Sequence, residues 1–184
     1  MSFQDQYKIT GLLPANETLL HNDVYLVILY ATRIPPHLAV TVNGKLFTLT
    51  VKGATIDGDL SVLLKAIKQR SIETIFIKLH VPELMTSDNL LDEIRKYIKI
   101  YPRVDVHIAT CLTPIKDFCS SVYDMDTQNV NFVYELLPKL FEQKIIESCY
   151  QLNLKGLDTN FYIEKYSMFD IHEGIRKMQI TTEV

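Results

Sequence analysis

Cys111 and His37 are the two side chains whose types could together carry out covalent chemistry. Cys111 stands between a predicted strand and a helix that Thr113 can cap and Pro114 can open. Backbone N–H groups at the start of a helix favour a thiolate, and they can bind the oxyanion formed when sulfur attacks a carbonyl. His37 would be the base, with a third polar group orienting its ring. The pattern therefore predicts a nucleophilic cysteine with a histidine partner.

The position of His37 follows from the hairpin around it. Two prolines precede the histidine, and Asn43-Gly44 between alternating runs predicts a tight type I′ turn. Counting outward from this turn pairs His37 with Thr50, which we therefore expect to orient the ring. The period of two gives one apolar face, formed by Leu38, Val40, Val42, Phe47 and Leu49. The other face, small and polar, carries His37, Ala39, Thr41, Leu46, Thr48 and Thr50.

Each candidate has a structural alternative. Cys111 could be a small buried apolar side chain and His37 a surface residue at a strand end. Cys119 is a rival nucleophile, although its helical spacing with Ile115, Phe118 and Val122 favours a core position. Cys149, on a predicted helix over residues 138–151, is expected in the core. His80 and His107 lack the spacing of metal ligands and are interpreted as surface residues.

Composition narrows the class of protein. The chain has 184 residues, of which 47% are hydrophobic and 22% charged, as is usual for one soluble domain. The net charge of −3 argues against nucleic acid or an anionic membrane surface as partner. Three cysteines without a Cys-x-x-Cys motif argue against a disulfide framework and a zinc knuckle. With no signal-peptide pattern, phosphate-binding loop or long apolar stretch, we expect a cytoplasmic protein with no cofactor, metal or membrane span.

The remaining periodicity predicts a mixed domain, with an antiparallel sheet packed on helices. Strands are predicted over 24–31, 74–79, 104–109 and 161–166, beside the hairpin. Helices are predicted over 59–69, 87–99, 129–137 and 138–151, after Thr113, and from Asp170 onward. We predict a single α+β domain over residues 1–184, with an arm over 1–20, a core over 20–123 and a helical extension over 124–184.

The order of these elements resembles a known family over residues 20–123. The segments concerned are Asn22-Asp23-Val24, His37-Leu38-Ala39-Val40, Thr50-Val51-Lys52-Gly53 and Thr110-Cys111-Leu112, with two predicted helices before the last. They are similar to the "GD", "H-x-G", "GV" and "N-C-x-x-F" motifs of the circularly permuted papain-like NlpC-type superfamily, which includes the lecithin–retinol acyltransferase-like and YiiX-like proteins. The chain departs from these motifs at Ala39, where the family has glycine, and at Thr50, where it has histidine or glutamate.

The resemblance implies a permuted papain-like fold, with Cys111 as nucleophile and His37 as base. The implied activity is that of a cysteine-dependent hydrolase or acyltransferase, such as a thiol protease, acting on a peptide, an amide or an acyl ester. Thr50 can accept a hydrogen bond from an imidazole but cannot stabilise imidazolium as a carboxylate does. The alternative is therefore a non-catalytic interaction domain with a degenerate papain-like fold, binding a protein partner through residues 124–184.

Overall fold

The computed structural model of the chain describes residues 6–156 and 159–182. Helices and strands are interspersed along these residues. The strands are Gln6–Ile9 (β1), Leu12–Pro14 (β2), Val24–Leu29 (β3), His37–Val42 (β4), Lys45–Thr50 (β5), Gly53–Asp59 (β6), Thr74–Leu79 (β7), Ile146–Leu152 (β8) and Phe161–Glu164 (β9). The helices are Glu17–Leu20 (α1), Leu60–Gln69 (α2), Ser87–Ile100 (α3), Thr113–Tyr123 (α4), Val133–Glu142 (α5) and Met168–Thr182 (α6).

A seven-stranded sheet organises the chain in the order β2-β8-β7-β3-β4-β5-β6, and β1 pairs with β9 in a separate two-stranded sheet. Neighbouring strands in the large sheet run antiparallel, except that β2 and β8 run parallel. The predicted α+β class, with a largely antiparallel sheet packed on helices, is therefore confirmed.

The central strand β3 is buried on both faces, as its uninterrupted apolar sequence predicts. Val24, Leu26 and Ile28 point into one core, while Tyr25, Val27 and Leu29 point into the other. Helix α2 closes the second core through Leu60, Leu64 and Ile67. Helices α3, α4, α5 and α6 contribute apolar side chains to the first core. The sheet is thus a middle layer with helices on both sides.

The hairpin of β4 and β5 is confirmed in turn type and register. Asn43 and Gly44 both have positive φ, 45° and 74°, as a type I′ turn requires. Val42 pairs with Lys45, so the register is the one expected from the sequence. A Cβ on Gly44 would also lie 3.1 Å from Nδ1 of His21, which makes glycine the residue that fits this turn.

The predicted strand over residues 104–109 is wrong. Residues 105–109 instead form a compact turn. The side chain of Asp105 accepts the N–H of His107 at 2.9 Å, and the backbone N–H of Asp105 donates to the carbonyl oxygen of Ala109 at 2.9 Å. Val104 and Ala109 are buried at the two ends of this segment, while His107 and Ile108 between them are exposed. The N–H of Val104 donates to the carbonyl oxygen of Thr50 at 2.9 Å, which ties the segment to the end of β5.

The predicted helix over residues 138–151 is also wrong. Pro138 lies inside α5 rather than opening a new helix, and Lys144, with φ of 57°, follows the end of α5. The chain then forms β8, which is hydrogen-bonded to β7 on one side and to β2 on the other. The extension over 124–184 is therefore helical only in part, because partner strands on both sides override the local helical spacing.

The predicted arm over residues 1–20 is structured wherever it is described. Strand β1 pairs with β9, β2 pairs with β8, and α1 follows with Leu20 buried in the second core. Residues 1–5 lie outside the described part of the chain. The N-terminal region is thus built into both sheets rather than set apart from them.

Candidate active site

His37 is the first residue of β4, and its ring is fixed by a threonine on the neighbouring strand. His37 Nε2 lies 2.8 Å from Thr48 Oγ1, and Thr48 Oγ1 donates its own proton to the carbonyl oxygen of Leu38 at 3.1 Å. With the single hydroxyl proton assigned to the Leu38 oxygen, Thr48 accepts from His37, and the ring proton is assigned to Nε2. Nδ1 then carries the lone pair, so Thr48 selects the tautomer in which Nδ1 can act as a base.

Thr50, predicted as the orienting residue, has other hydrogen-bond partners. Its hydroxyl donates to the carbonyl oxygen of Gly53 at 3.0 Å and accepts the N–H of Lys52 at 3.2 Å. These bonds close the turn between β5 and β6. The ring of His37 reaches diagonally across the strand pair to Thr48, and long side chains commonly reach such diagonal neighbours. Thr50 nevertheless lines the same cavity as His37.

Cys111 lies in a short turn just before α4. The turn is held by the N–H of Thr110, which donates to Thr113 Oγ1 at 3.0 Å, and by the N–H of Leu112, which donates to Thr110 Oγ1 at 3.3 Å. The thiol faces three backbone N–H groups, those of Leu38, Cys111 and Leu112. Since Leu38 follows His37 directly, this contact places the sulfur against the beginning of β4.

The two candidate side chains line one cavity of about 270 Å³. Its walls are mostly apolar and include Pro35, Leu49, Val51, Val104, Ile171 and Ile175. Among the hydrogen bonds of the described residues there is none between Cys111 and His37. What brings the two side chains together is the cavity that both of them line. The cavity is built from the hairpin, the turn before α4 and the C-terminal helix α6.

Burial governs the charge state of this pair. It raises the pKa of Cys111 to about 11, outweighing the three N–H groups that lower it. The expectation that the helix start favours the thiolate is thus not met in this apolar cavity. Burial also lowers the pKa of His37 to about 4. At neutral pH the resting pair is a neutral thiol and a neutral imidazole rather than an ion pair.

Two further side chains of this cavity come from the C-terminal third of the chain, where the sequence pointed to no site residue. Tyr166 follows β9 and is 8% exposed, and Asn131 precedes α5. Asn131 also borders a second cavity of about 190 Å³, which Asp105, His107 and Lys116 line with charge-bearing groups. No spacing within the sequence links these residues to Cys111, because only the packing of the C-terminal segments brings them there.

The other candidates lie elsewhere. Cys119 is buried on α4 and Cys149 is buried in β8 rather than on a helix; burial raises their pKa values to about 12 and about 11. All three cysteines are free thiols. His80 lies 3.3 Å from a Glu147 oxygen on the surface, and His107 is exposed. Within the described residues, no group of three or more potential ligands is arranged to hold a metal ion.

Comparisons with protein-family models, with curated proteins and with solved structures give no match to this chain. In the part of the chain that the structure describes, no helix has the length and apolar character needed to cross a bilayer.

Proposed function

We propose that this protein is a cysteine-dependent hydrolase or acyltransferase acting on an amide or ester bond, with Cys111 as nucleophile and His37 as base. The observation that carries the proposal is that the thiol and the imidazole, 74 positions apart in the sequence, line one cavity, with the sulfur against the N–H of Leu38. The permuted papain-like architecture belongs to the same proposal. Its support is the order of the His37 hairpin, α2, α3 and the cysteine before α4.

The proposed reaction begins from the neutral pair. The sulfur of Cys111 attacks the substrate carbonyl carbon while its proton passes to Nδ1 of His37, and the carbonyl π electrons move to oxygen. Backbone N–H groups beside the sulfur near Leu112, such as those of Cys111 and Leu38, would bind the resulting oxyanion. When the intermediate collapses, the leaving alcohol or amine takes the proton from His37 and a thioester remains. Water, in a hydrolase, or another alcohol or amine, in an acyltransferase, then releases the acyl group.

Thr48 has a positioning role in this proposal. It holds the proton of His37 on Nε2, so that Nδ1 is free to receive the proton of the thiol. A hydroxyl stabilises the imidazolium less than a carboxylate does, so we expect a slower enzyme than one with an acidic third residue. The three free thiols fit a reducing compartment, and we propose a cytoplasmic location on this ground.

The experiment that tests the proposal measures alkylation of each cysteine by iodoacetamide at neutral pH, followed by peptide mass spectrometry. We expect Cys111 to react faster than Cys119 and Cys149, and His37→Gln to slow Cys111 alone. Cys149 is the internal reference, because its pKa is also about 11 but no histidine lines its cavity. An unreactive Cys111, or a rate that does not depend on His37, would remove the basis for the proposal.

A second candidate function is a non-catalytic interaction domain that retains this architecture. The raised pKa of Cys111 and the use of threonine as orienting group favour it. So does an apolar cavity of about 530 Å³, distant in sequence from Cys111, whose walls include the exposed side chains of Leu13 and Phe141. Cys111→Ala separates the two functions: it would leave a binding protein fully competent and abolish turnover in an enzyme.

A further inference from the structure

Tyr166 is one of two tyrosines, with Tyr30, that line the Cys111 cavity and have no role in the proposed mechanism. It is 8% exposed and lies after β9, in the C-terminal third of the chain. A buried hydroxyl requires hydrogen-bond partners, so the surroundings of this phenol indicate what it can do.

The ring of Tyr166 is held rigidly. It packs edge to face against Phe132 and Tyr134, with ring centroids 5.4 Å and 5.2 Å away. The hydroxyl of Tyr134 also donates to the backbone carbonyl oxygen of Tyr166 at 2.5 Å. Both the ring and the backbone of Tyr166 are therefore fixed before any substrate binds, as a preorganised group must be.

The phenol oxygen of Tyr166 lies against the start of α5. The oxygen faces the N–H of Val133, the first residue of α5, where backbone N–H groups have no partner within the helix. Among the hydrogen bonds between described residues, none has the phenolic proton as its donor. A phenol that lines an apolar cavity is suited to donate a hydrogen bond to developing negative charge on a ligand oxygen.

The phenol and the thiol line the same cavity. Burial is the main reason why the pKa of Tyr166 is raised. Electrostatic repulsion from the Cys111 thiolate raises this pKa further. A phenol with a raised pKa keeps its proton, so its suitable role is to donate a hydrogen bond rather than to transfer a proton.

We propose that Tyr166 is a catalytic residue of this site and donates the side-chain hydrogen bond that stabilises the oxyanion formed when Cys111 attacks a carbonyl. This role rests on the proposed function and adds a donor from outside the hairpin and the cysteine turn. The backbone N–H groups would bind the oxyanion from the side of β4 and α4, and Tyr166 would bind it from the side of α5. No covalent step is added, because the phenol keeps its proton throughout.

The test is Tyr166→Phe, which removes the hydroxyl and keeps the ring, assayed on p-nitrophenyl acetate and p-nitrophenyl butyrate. We expect kcat to fall about a hundredfold, as for other single oxyanion donors, with KM little changed. Alkylation of Cys111 by iodoacetamide, which forms no oxyanion, should keep its wild-type rate. The matched control is Tyr123→Phe, which removes the hydroxyl of a half-buried tyrosine that does not line the cavity.

The outcomes separate the two proposals. A wild-type protein that neither turns over the esters nor accumulates an acyl–Cys111 thioester overturns the hydrolase proposal, and the role of Tyr166 falls with it. An active wild-type protein whose Tyr166→Phe variant keeps its kcat overturns only the role of Tyr166. Equal losses of kcat and of Cys111 alkylation in that variant would likewise assign Tyr166 a packing role.

Discussion

His37 Nε2 and Thr48 Oγ1 lie 2.8 Å apart, and this bond determines which nitrogen of the imidazole can act as a base. The Thr48 proton is committed to the carbonyl oxygen of Leu38, so the proton of the bond comes from Nε2. The relationship joins β4 to β5 across a diagonal of the hairpin, and the Asn43-Gly44 turn sets the register that makes it possible.

Thr48→Val removes this bond while keeping a β-branched side chain of similar shape. Nδ1 of His37 is then no longer favoured as the unprotonated nitrogen, so we expect turnover of p-nitrophenyl acetate to fall at least about tenfold. We expect the free energy of unfolding to fall by only about 1 kcal/mol. Steady-state kinetics and urea denaturation measure the two effects.

Thr50→Val is the control for this prediction. Its hydroxyl closes the turn to Gly53 and does not contact the ring, so stability should fall by a similar amount with turnover largely kept. Turnover that falls more in Thr50→Val than in Thr48→Val would return the orienting role to Thr50.

The lowered pKa of His37 predicts a pH dependence of stability. Its value is about 4 in the folded chain, against 6.5 for an ordinary histidine. Between these values the unfolded chain binds the proton and the folded chain does not, so stability is fully present above pH 6.5 and falls as the pH is lowered towards 4. The loss amounts to at most about 3 kcal/mol.

The measurement that checks this prediction is urea unfolding at several pH values, comparing the wild type with His37→Gln. Glutamine does not titrate, so the variant should lack this part of the slope, and the difference between the two proteins should shrink as the pH falls. Parallel curves for the two proteins in this range would show that His37 does not titrate with the predicted linkage.

Much of the fold follows from local pattern. The uniformly apolar sequence of β3 predicts a buried strand, Asn43-Gly44 predicts a hairpin turn, and the spacing in α2 and α3 predicts helices. The structure contains all of these elements. Residues 104–109 and 146–152 do not behave in this way. In the first, the Asp105 side chain satisfies the backbone locally, and in the second, β7 and β2 supply hydrogen bonds from distant parts of the chain.

The candidate site is predictable to the same extent. The sequence indicates Cys111 and His37 by residue type and by their elements, and the structure places both in one cavity. Their catalytic role stays a prediction. Strand register places Thr50 opposite His37, but the imidazole contacts Thr48 instead. Which of the two threonines the ring meets depends on the rotamer of His37, which the sequence does not determine. Tyr166 reaches the cavity through the packing of β9 and α6, for which the sequence has no local signal.

The raised pKa of Cys111 predicts how its reactivity depends on pH. In His37→Gln, which has no base beside the sulfur, only the thiolate reacts with iodoacetamide, so the alkylation rate of Cys111 should rise about tenfold per pH unit from neutral pH upward. The rise should continue until the pH approaches 11, the pKa that burial gives this thiol. Mass-spectrometric rates for the Cys111 peptide over this range measure the curve. A plateau near neutral pH in this variant would contradict the raised pKa of the Cys111 thiol.

Gly174 in α6 predicts how the cavity can be opened. A Cβ at this position would lie 3.3 Å from Cδ of Pro35, two residues before His37, so glycine lets the helix approach the hairpin closely. In Gly174→Val the branched side chain would push α6 away from Pro35, carrying with it Ile171 and Ile175, which line the cavity. We expect faster alkylation of Cys111, unchanged alkylation of Cys149 and a lower melting temperature.

Lys177→Val is the control, since this exposed position on the same helix does not line the cavity. Equal Cys111 rates in both variants would mean that α6 does not control access to the thiol.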